Sequence, residues 1–146
     1  MELRLGAYAV ITDDDGRMLL PHWNEDGHSG WSMPGGGVEP GEHPADAAVR
    51  EVFEETGYHV ELAEILGVDQ VIIPVEDRIA GDGTRPDVPM QSVRIVWRAH
   101  VIGGGLVVER DGSTDDVAWH TPDRIDALPR VELVDISRRW AGLLPE

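Results

Sequence analysis

Residues 36–58 read GGVEPGEHPADAAVREVFEETGY, and this stretch decides the fold. Glu54 and Glu55 follow Glu51 by three and four residues, so on a helix all three carboxylates lie on one side. At short range and moderate dielectric, such carboxylates repel one another by several kcal/mol. A divalent cation would turn this repulsion into binding, because hard cations take oxygen ligands. The stretch therefore predicts a metal-binding helix.

The limits of this helix can be read from the same residues. Pro44 suits the first turn, where no backbone hydrogen bond is lost, and Gly57 suits the C-terminal stop. At 100° per residue, one arc of the helix collects the residues Ala45, Ala48, Val49, Val52 and Phe53. We expect this arc to be buried and the neighbouring glutamate arc to face a cleft.

Strands dominate the rest of the predicted structure. β-prone segments predict strands at 3–12, 18–23, 31–33, 60–73, 90–102, 106–109 and 117–120. Loops are expected at 24–30 and 74–89, and the glycines at 35–37 are expected to form a tight turn close to a ligand. A further helix begins after Thr121, and a last one covers 131–144. Interspersed strands and helices predict the α+β or mixed α/β class, and we take α+β, with residues 1–146 in a single domain.

Composition narrows the possible partners. The chain has 28 acidic residues against 12 basic ones, all arginine, and a formal net charge of −16. Such a surface repels nucleic acid and anionic membranes, so neither is expected as a partner. There is no cysteine, no apolar run of about 18 residues and no signal-peptide pattern at the N-terminus. We expect a cytoplasmic protein.

The segment resembles the Nudix box, in which Gly, Glu, Arg-Glu-aliphatic, Glu-Glu and Gly recur at fixed spacing. The matching residues are Gly36, Glu42, Arg50, Glu51, Val52, Glu54, Glu55 and Gly57. Tyr58 stands where the family usually has an aliphatic residue, at a position that we interpret as a packing site. So many specified positions make this match far more specific than a lone glycine motif.

The resemblance implies a fold and a reaction. Nudix proteins are α/β/α sandwiches with a mixed central sheet, often homodimers, and they typically hydrolyse a diphosphate bond in a nucleoside diphosphate derivative or nucleotide. They need Mg²⁺, for which Mn²⁺ can substitute. By resemblance, Glu51, Glu54, Glu55 and the Gly35 carbonyl would bind the metal, and Arg50 would orient a box glutamate. Glu42 resembles the residue that holds the turn into the helix.

Other site residues are less closely specified. The general base is predicted to be Glu51 or Glu54. A further acidic ligand from a later loop is expected at Asp116, and its competitors are Asp115, Glu76, Asp77, Asp82 and Glu109. Arg78 and Arg85 in the long loop are candidate substrate contacts. Trp31 is the candidate for stacking on a base, with Trp23, Trp97 and Trp119 as alternatives.

Two other functions were weighed against hydrolysis. A Nudix-like sensor that binds nucleotides without chemistry remains open, although degenerate members are expected to lose box glutamates and none is lost here. An acidic calcium buffer is disfavoured, because no twelve-residue loop carries ligands at alternating positions. The substrate also stays open among ADP-ribose, nucleotide sugars, dinucleotides and oxidised nucleoside triphosphates.

Overall fold

The computed structural model describes residues 1–25, 27–79, 81–108 and 114–145. A short 3₁₀ helix, Val75–Asp77, interrupts the long loop that precedes the sixth strand. In chain order, the strands and α-helices of the described residues are β1 (Glu2–Ile11), β2 (Met18–Glu25), β3 (His28–Trp31), β4 (Gly35–Gly37), α1 (Pro44–Thr56), β5 (Tyr58–Ile73), β6 (Met90–Gly104), β7 (Thr114–His120), α2 (Pro122–Ala127) and α3 (Glu132–Trp140).

The strands form two sheets. A four-stranded sheet has the order β4-β1-β6-β5, and a three-stranded antiparallel sheet has the order β3-β2-β7. In the larger sheet β1 runs parallel to β6, whereas β4 and β5 are antiparallel to their neighbours. This mixed sheet with flanking helices confirms the predicted α+β class.

The core lies on both faces of the larger sheet. On one face, Ala7 of β1 packs with Ala47 and Ala48 of α1. On the other face, Val10 and Val96 pack with residues of β2, α2 and α3, which are Met18, Leu20, Ile125, Leu133 and Val134. Helix α1 is thus anchored against the sheet next to β4, and this contact positions the predicted metal-binding segment.

The ends of α1 agree with the prediction. His43 caps the N-terminus by accepting a hydrogen bond from the Ala45 N–H at 3.0 Å, and Pro44 occupies the first helical position. Gly57 ends the helix with a φ of +83°, a conformation that favours glycine. The buried arc differs in one member, because Phe53 is 44% exposed and stacks on His59.

Several predicted elements are wrong in their extent. Much of the loop expected at 24–30 is strand, because β2 continues to Glu25 and pairs with β3, which begins at His28. The glycines at 35–37 form strand β4 rather than a turn. Residues 105–108 are not in a strand, and Glu109 lies outside the described residues. The last helix ends at Trp140 rather than at Leu144.

Strand β5 forms one edge of the larger sheet. It pairs with β6 along one side, and no other strand of the described residues pairs with its outer side. The pairing register shifts near Gly67. Ile65, Val68 and Ile72 are 57%, 60% and 49% exposed on this strand. None of the helices in the described residues is long and apolar enough to cross a membrane.

Candidate active site at the junction of α1 and β4

Arg50 is the centre of a hydrogen-bonded cluster on α1. Its Nε and Nη2 donate to the two carboxylate oxygens of Glu42 at 2.8 and 2.9 Å, a two-point contact that suits the planar guanidinium. Its Nη1 donates to Glu51 at 2.9 Å and to Glu54 at 3.3 Å. Its Nη2 also reaches the Gly37 carbonyl oxygen at 3.1 Å. One arginine therefore holds three of the box glutamates and links them to β4.

The cluster has clear electrostatic consequences. The hydrogen bond from Arg50, together with that from the Glu39 N–H, lowers the pKa of Glu42 to about 2. The same contacts raise the pKa of Arg50, with the Glu42 hydrogen bond as the largest cause. Both groups are therefore charged at neutral pH, and the turn into α1 is held by a permanent ion pair.

The remaining box glutamate and Glu51 contact the glycine strand. Glu55 Oε1 accepts a hydrogen bond from the Gly35 N–H at 2.7 Å. The Glu51 carboxylate lies over Gly36, where a Cβ atom would be only 2.6 Å from Glu51 Oε2. A Cβ at Gly35 would be 2.2 Å from the Ala7 carbonyl oxygen, and its φ is +143°. Gly35 therefore requires glycine, because backbone atoms occupy the place of its Cβ, whereas a Cβ at Gly36 would displace the Glu51 carboxylate.

A cleft of about 510 Å³ opens beside this strand. Glu51 and Glu55 line it together with the β4 glycines, and Tyr8 and Ser92 contribute from the larger sheet. Glu54 does not line this cleft. Glu54 instead borders a separate pocket at the C-terminal end of α1, together with Phe53 and Gly57. The predicted trio is thus divided, with two glutamates in the cleft and one outside it.

Carboxylate groups near α1 do not surround a single point. Within the described ranges, no group of three or more His, Cys, Asp or Glu side chains has the arrangement of a metal site. The physical reason is that Glu51 and Glu54 share Arg50, whereas Glu55 turns to the Gly35 N–H. The donor chemistry nevertheless fits a hard divalent cation, because two glutamates, Glu51 and Glu55, line one cleft and carboxylates supply oxygen ligands.

The predicted later-loop ligand is not in the cleft. Asp116 accepts a hydrogen bond from the Val117 N–H at 2.8 Å, and Asp115 pairs with His22 at 2.6 Å, which lowers the pKa of Asp115. Thr114 of the same strand comes nearest to the site, with its Oγ1 3.4 Å from Glu55. Among the competitors, Asp82 lines the cleft, Glu76 and Asp77 lie in the exposed 3₁₀ helix, and Glu109 is outside the described residues.

The arginines predicted to bind substrate lie in the long loop and not among the cleft residues. Arg78 has a side chain only 4% exposed, and it donates to Glu2, to Asp82 and to the carbonyl oxygens of Arg85 and Val88. Arg85 is exposed, and its backbone N–H donates to Glu2 at 3.0 Å. Arg78 therefore organises the loop.

Of the four candidate tryptophans, one lies at the cleft and three lie elsewhere. Trp31 packs against the core and makes edge contacts with His22 and His120. Trp97 is buried, and Trp119 donates a hydrogen bond to the Tyr58 hydroxyl at 3.2 Å. Trp23, at the end of β2, is the one tryptophan among the residues that line the cleft.

Sequence reasoning missed two arginines in the cleft, Arg4 and Arg94. The parallel register pairs Arg4 with Ser92 and Gly6 with Arg94, so both side chains lie on the same face of the sheet. The available signal was an arginine at an inward position of a mainly apolar strand. Its meaning depends on which strands pair, and the sequence pattern does not specify that pairing.

The chain is similar in sequence to proteins from bacteria. A MutT-like protein of Streptomyces ambofaciens is 35% identical over 117 residues, which cover 80% of this chain and 62% of that protein. An RNA pyrophosphohydrolase of Roseobacter denitrificans is 31% identical over 94 residues, covering 64% of this chain and 52% of that protein. The chain spans about half the length of the curated relatives it matches.

Solved structures agree with the fold. A NUDIX hydrolase from Nitrosomonas europaea superposes with a TM-score of 0.75 at 26% identity, covering 97% of this chain and 89% of that one. The family model described as the NUDIX domain matches residues 2–140. Since this match includes both sheets, α1 and the glycine strand, the chain belongs to the NUDIX family.

Proposed function

We propose that this protein hydrolyses a diphosphate bond in a nucleotide or a nucleoside diphosphate derivative, with Mg²⁺ as its cofactor and Mn²⁺ as a substitute. NUDIX hydrolases generally need a divalent metal, and relatives of this chain are described as an RNA pyrophosphohydrolase and a putative 8-oxo-dGTP diphosphatase. The observation that carries the proposal is the presence of Glu51 and Glu55 in one cleft beside the glycine strand. The partner is a small molecule, and we propose that the protein acts as a cytoplasmic enzyme and homodimer.

Glu51 and Glu55 would hold the metal, together with the Gly35 carbonyl and Glu54 if the latter turns toward the cleft. When bound, the ion supplies positive charge that neutralises phosphate oxygens and lowers the pKa of a bound water. Glu54 needs the larger movement, because its carboxylate now borders the pocket outside the cleft. Hydrogen bonds from Arg50 to Glu51 and Glu54 limit how far either carboxylate can turn.

The chain's own residues would place and deprotonate the attacking water. A general base must lie within hydrogen-bond reach of the proton that it removes. Glu51 meets this condition better than Glu54, because Glu51 lines the cleft and Glu54 does not. Arg50 would keep Glu51 in position through its 2.9 Å hydrogen bond. We therefore assign Glu51 as the base and Arg50 as the residue that orients it.

The test is a hydrolysis screen with and without Mg²⁺ across nucleotide sugars, ADP-ribose, dinucleotides, and normal and oxidised nucleoside triphosphates. Glu51→Gln and Glu55→Gln should lower turnover by orders of magnitude with the fold intact, because each removes a charged oxygen from the cleft. Glu64→Gln is the matched control, since Glu64 is 62% exposed on β5 and pairs with Arg98 at the surface.

Two results would contradict the proposal. Near wild-type turnover in both cleft variants would remove the metal assignment. A nucleotide that stabilises the protein but stays intact under every metal condition would instead support the nucleotide-binding sensor.

A further inference from the structure

Arg4 differs from the other arginines of the described residues. Seven of them, at positions 17, 50, 78, 94, 98, 130 and 138, have a carboxylate oxygen within 4 Å. Arg85, Arg124 and Arg139 have no such partner there but are exposed. Arg4 alone is partly buried without a carboxylate at that distance, in a protein with 28 acidic residues. A partly buried cation of this kind costs free energy unless an anion meets it.

The surroundings of Arg4 hold its guanidinium at the cleft. Its Nη1 donates to the Tyr8 hydroxyl at 3.2 Å, and the Tyr8 ring lies over Gly6, where a Cβ would be 2.6 Å from Tyr8 Cε2. Its Nη2 approaches β4, 3.6 Å from the place where a Gly37 Cβ would stand. The Tyr8 hydroxyl thus holds the guanidinium beside the side-chain-free backbone of β4, and the guanidinium has no salt bridge among the described residues.

A second arginine, Arg94, adds positive charge on the side of the cleft where Arg4 lies. Arg94 is the diagonal neighbour of Arg4 across the β1–β6 pair, and diagonal neighbours are roughly 7–8 Å apart. The Arg94 Nη2 pairs with Asp69, whereas the Arg94 Nε is buried and has no hydrogen-bond partner in the part of the chain that the structure describes. Tyr8, followed by Glu51 and Asp82, raises the pKa of Arg4, and all four residues line the same cleft.

We propose that Arg4, positioned by Tyr8 and supported by Arg94, binds a phosphate group of the ligand next to the one held at Glu51 and Glu55. The proposal rests on the proposed function, because it takes the occupant of the cleft to be a phosphorylated substrate. Arginine suits this role, since its planar fork grips phosphate oxygens at two points. A phosphate-binding Arg4 would favour ligands with three or more consecutive phosphates over diphosphates in which a neutral sugar follows the second phosphate.

Binding of inorganic tripolyphosphate tests the proposal by affinity rather than by turnover. Isothermal titration calorimetry in low-salt buffer with Mg²⁺, which the phosphate next to Glu51 and Glu55 requires, compares the wild-type protein with Arg4→Gln and with Arg139→Gln, an exposed arginine on α3. Arg4→Gln should weaken binding by about tenfold or more, because hydrogen bonds to charged groups are lost. Arg139→Gln should bind like the wild type, and Tyr8→Phe should lose roughly threefold through poorer positioning.

Each outcome decides the question. Wild-type affinity in a folded Arg4→Gln variant, equal weakening in Arg139→Gln, or no binding by the wild-type protein would overturn the proposal. If circular dichroism shows that Arg4→Gln does not fold, Arg4→Lys replaces it and should lose about threefold, because lysine has no planar fork. A protein that binds tripolyphosphate through Arg4 yet hydrolyses nothing would support this inference while refuting the proposed function.

The hydrolysis assay gives an independent measurement. Arg4→Gln should raise KM for a triphosphate substrate by about tenfold with a smaller change in kcat, because Arg4 contacts a phosphate that does not react. The same change in KM for a sugar-capped diphosphate would contradict the stated preference.

Discussion

Two arginine-centred clusters in this protein use the same chemistry for different purposes. Arg50 collects the side chains of Glu42, Glu51 and Glu54 beside the cleft. Arg78 binds Glu2 and Asp82 together with two loop carbonyl oxygens. In both clusters a carboxylate also accepts a hydrogen bond from a backbone N–H, Glu2 from Thr84 at 2.8 Å and Glu42 from Glu39 at 3.1 Å. The difference lies in their place: the Arg50 cluster holds Glu51 at the cleft of the candidate site, whereas the Arg78 cluster shapes a loop.

Replacing the centre of the first cluster should have the largest effect on activity. Arg50→Gln removes the charged hydrogen bonds that orient Glu51 and Glu54, and a small displacement of catalytic groups can lower the rate by about 100-fold. Steady-state kinetics with the best substrate from the screen measures the change. Turnover within a factor of about two of the wild type would show that the cluster is structural like the one at Arg78.

The corresponding change in the loop should act on stability. Arg78→Gln removes the donors to Glu2 and Asp82 from a side chain that is 4% exposed, so we expect Tm to fall by at least a few degrees. kcat should change less than in Arg50→Gln, because Asp82 is the only member of this side-chain cluster that lines the cleft, whereas Arg78 and Glu2 do not. A loss of kcat as large as that in Arg50→Gln, with an unchanged Tm, would restore Arg78 as a substrate contact.

Two glycines, one beside each arginine cluster, allow the same comparison with a smaller expected effect on the protein. A Cβ on Gly36 would be 2.6 Å from the Glu51 carboxylate, and a Cβ on Gly83 would be 2.5 Å from that of Glu2. Gly36→Ala should lower kcat on the order of tenfold by displacing Glu51, less than Arg50→Gln because a flexible carboxylate can shift. Gly83→Ala should lower Tm and leave kcat near the wild-type value. Similar kcat losses in both variants would erase the distinction between the clusters.

Acid titration gives the smallest and most symmetrical effect. The pKa of Glu42 falls from 4.5 to about 2 mainly because of Arg50, and the pKa of Glu2 falls equally, mainly because of the Thr84 N–H. A lowered carboxylate pKa stabilises the fold above pH 4.5, and this stabilisation is lost as pH falls toward 2.

Urea unfolding at a series of pH values measures this loss. Glu42→Gln and Glu2→Gln should each flatten the dependence of the urea midpoint on pH between 4.5 and 2. At neutral pH, only Glu42→Gln should also reduce activity, because only Glu42 pairs with Arg50. A wild-type slope in either variant would contradict the corresponding pKa assignment.

The sequence predicted what local chemistry determines. Helix α1 begins at Pro44 and ends at Gly57 as expected, because a first-turn proline and a left-handed glycine act within a few residues. Strand β4 was not predicted, because three glycines indicate a turn unless their pairing with Gly6, Ala7 and Tyr8 is known. Fixed spacing along α1 likewise identified Arg50 and its glutamates.

Candidate residues outside the box were predicted less well for a physical reason. An arginine in a loop and an arginine in a strand have the same side chain, and only the tertiary structure decides which one meets solvent, carbonyl groups or a cleft. Arg78 turned inward to its own loop, whereas Arg4 and Arg94 reached the cleft through the register of β1 and β6. Trp31 was chosen over Trp23 for the same lack of pairing information.

The open edge at β5 has a consequence for handling the protein. An exposed strand edge offers backbone donors and acceptors to another chain, and Ile65, Val68 and Ile72 add apolar contact area. At neutral pH the net charge of −16 keeps molecules apart, but this repulsion vanishes near the isoelectric point of about 4.5. Mild acid should therefore drive edge-to-edge aggregation before the fold itself is lost, and solubility should recover once the pH is raised.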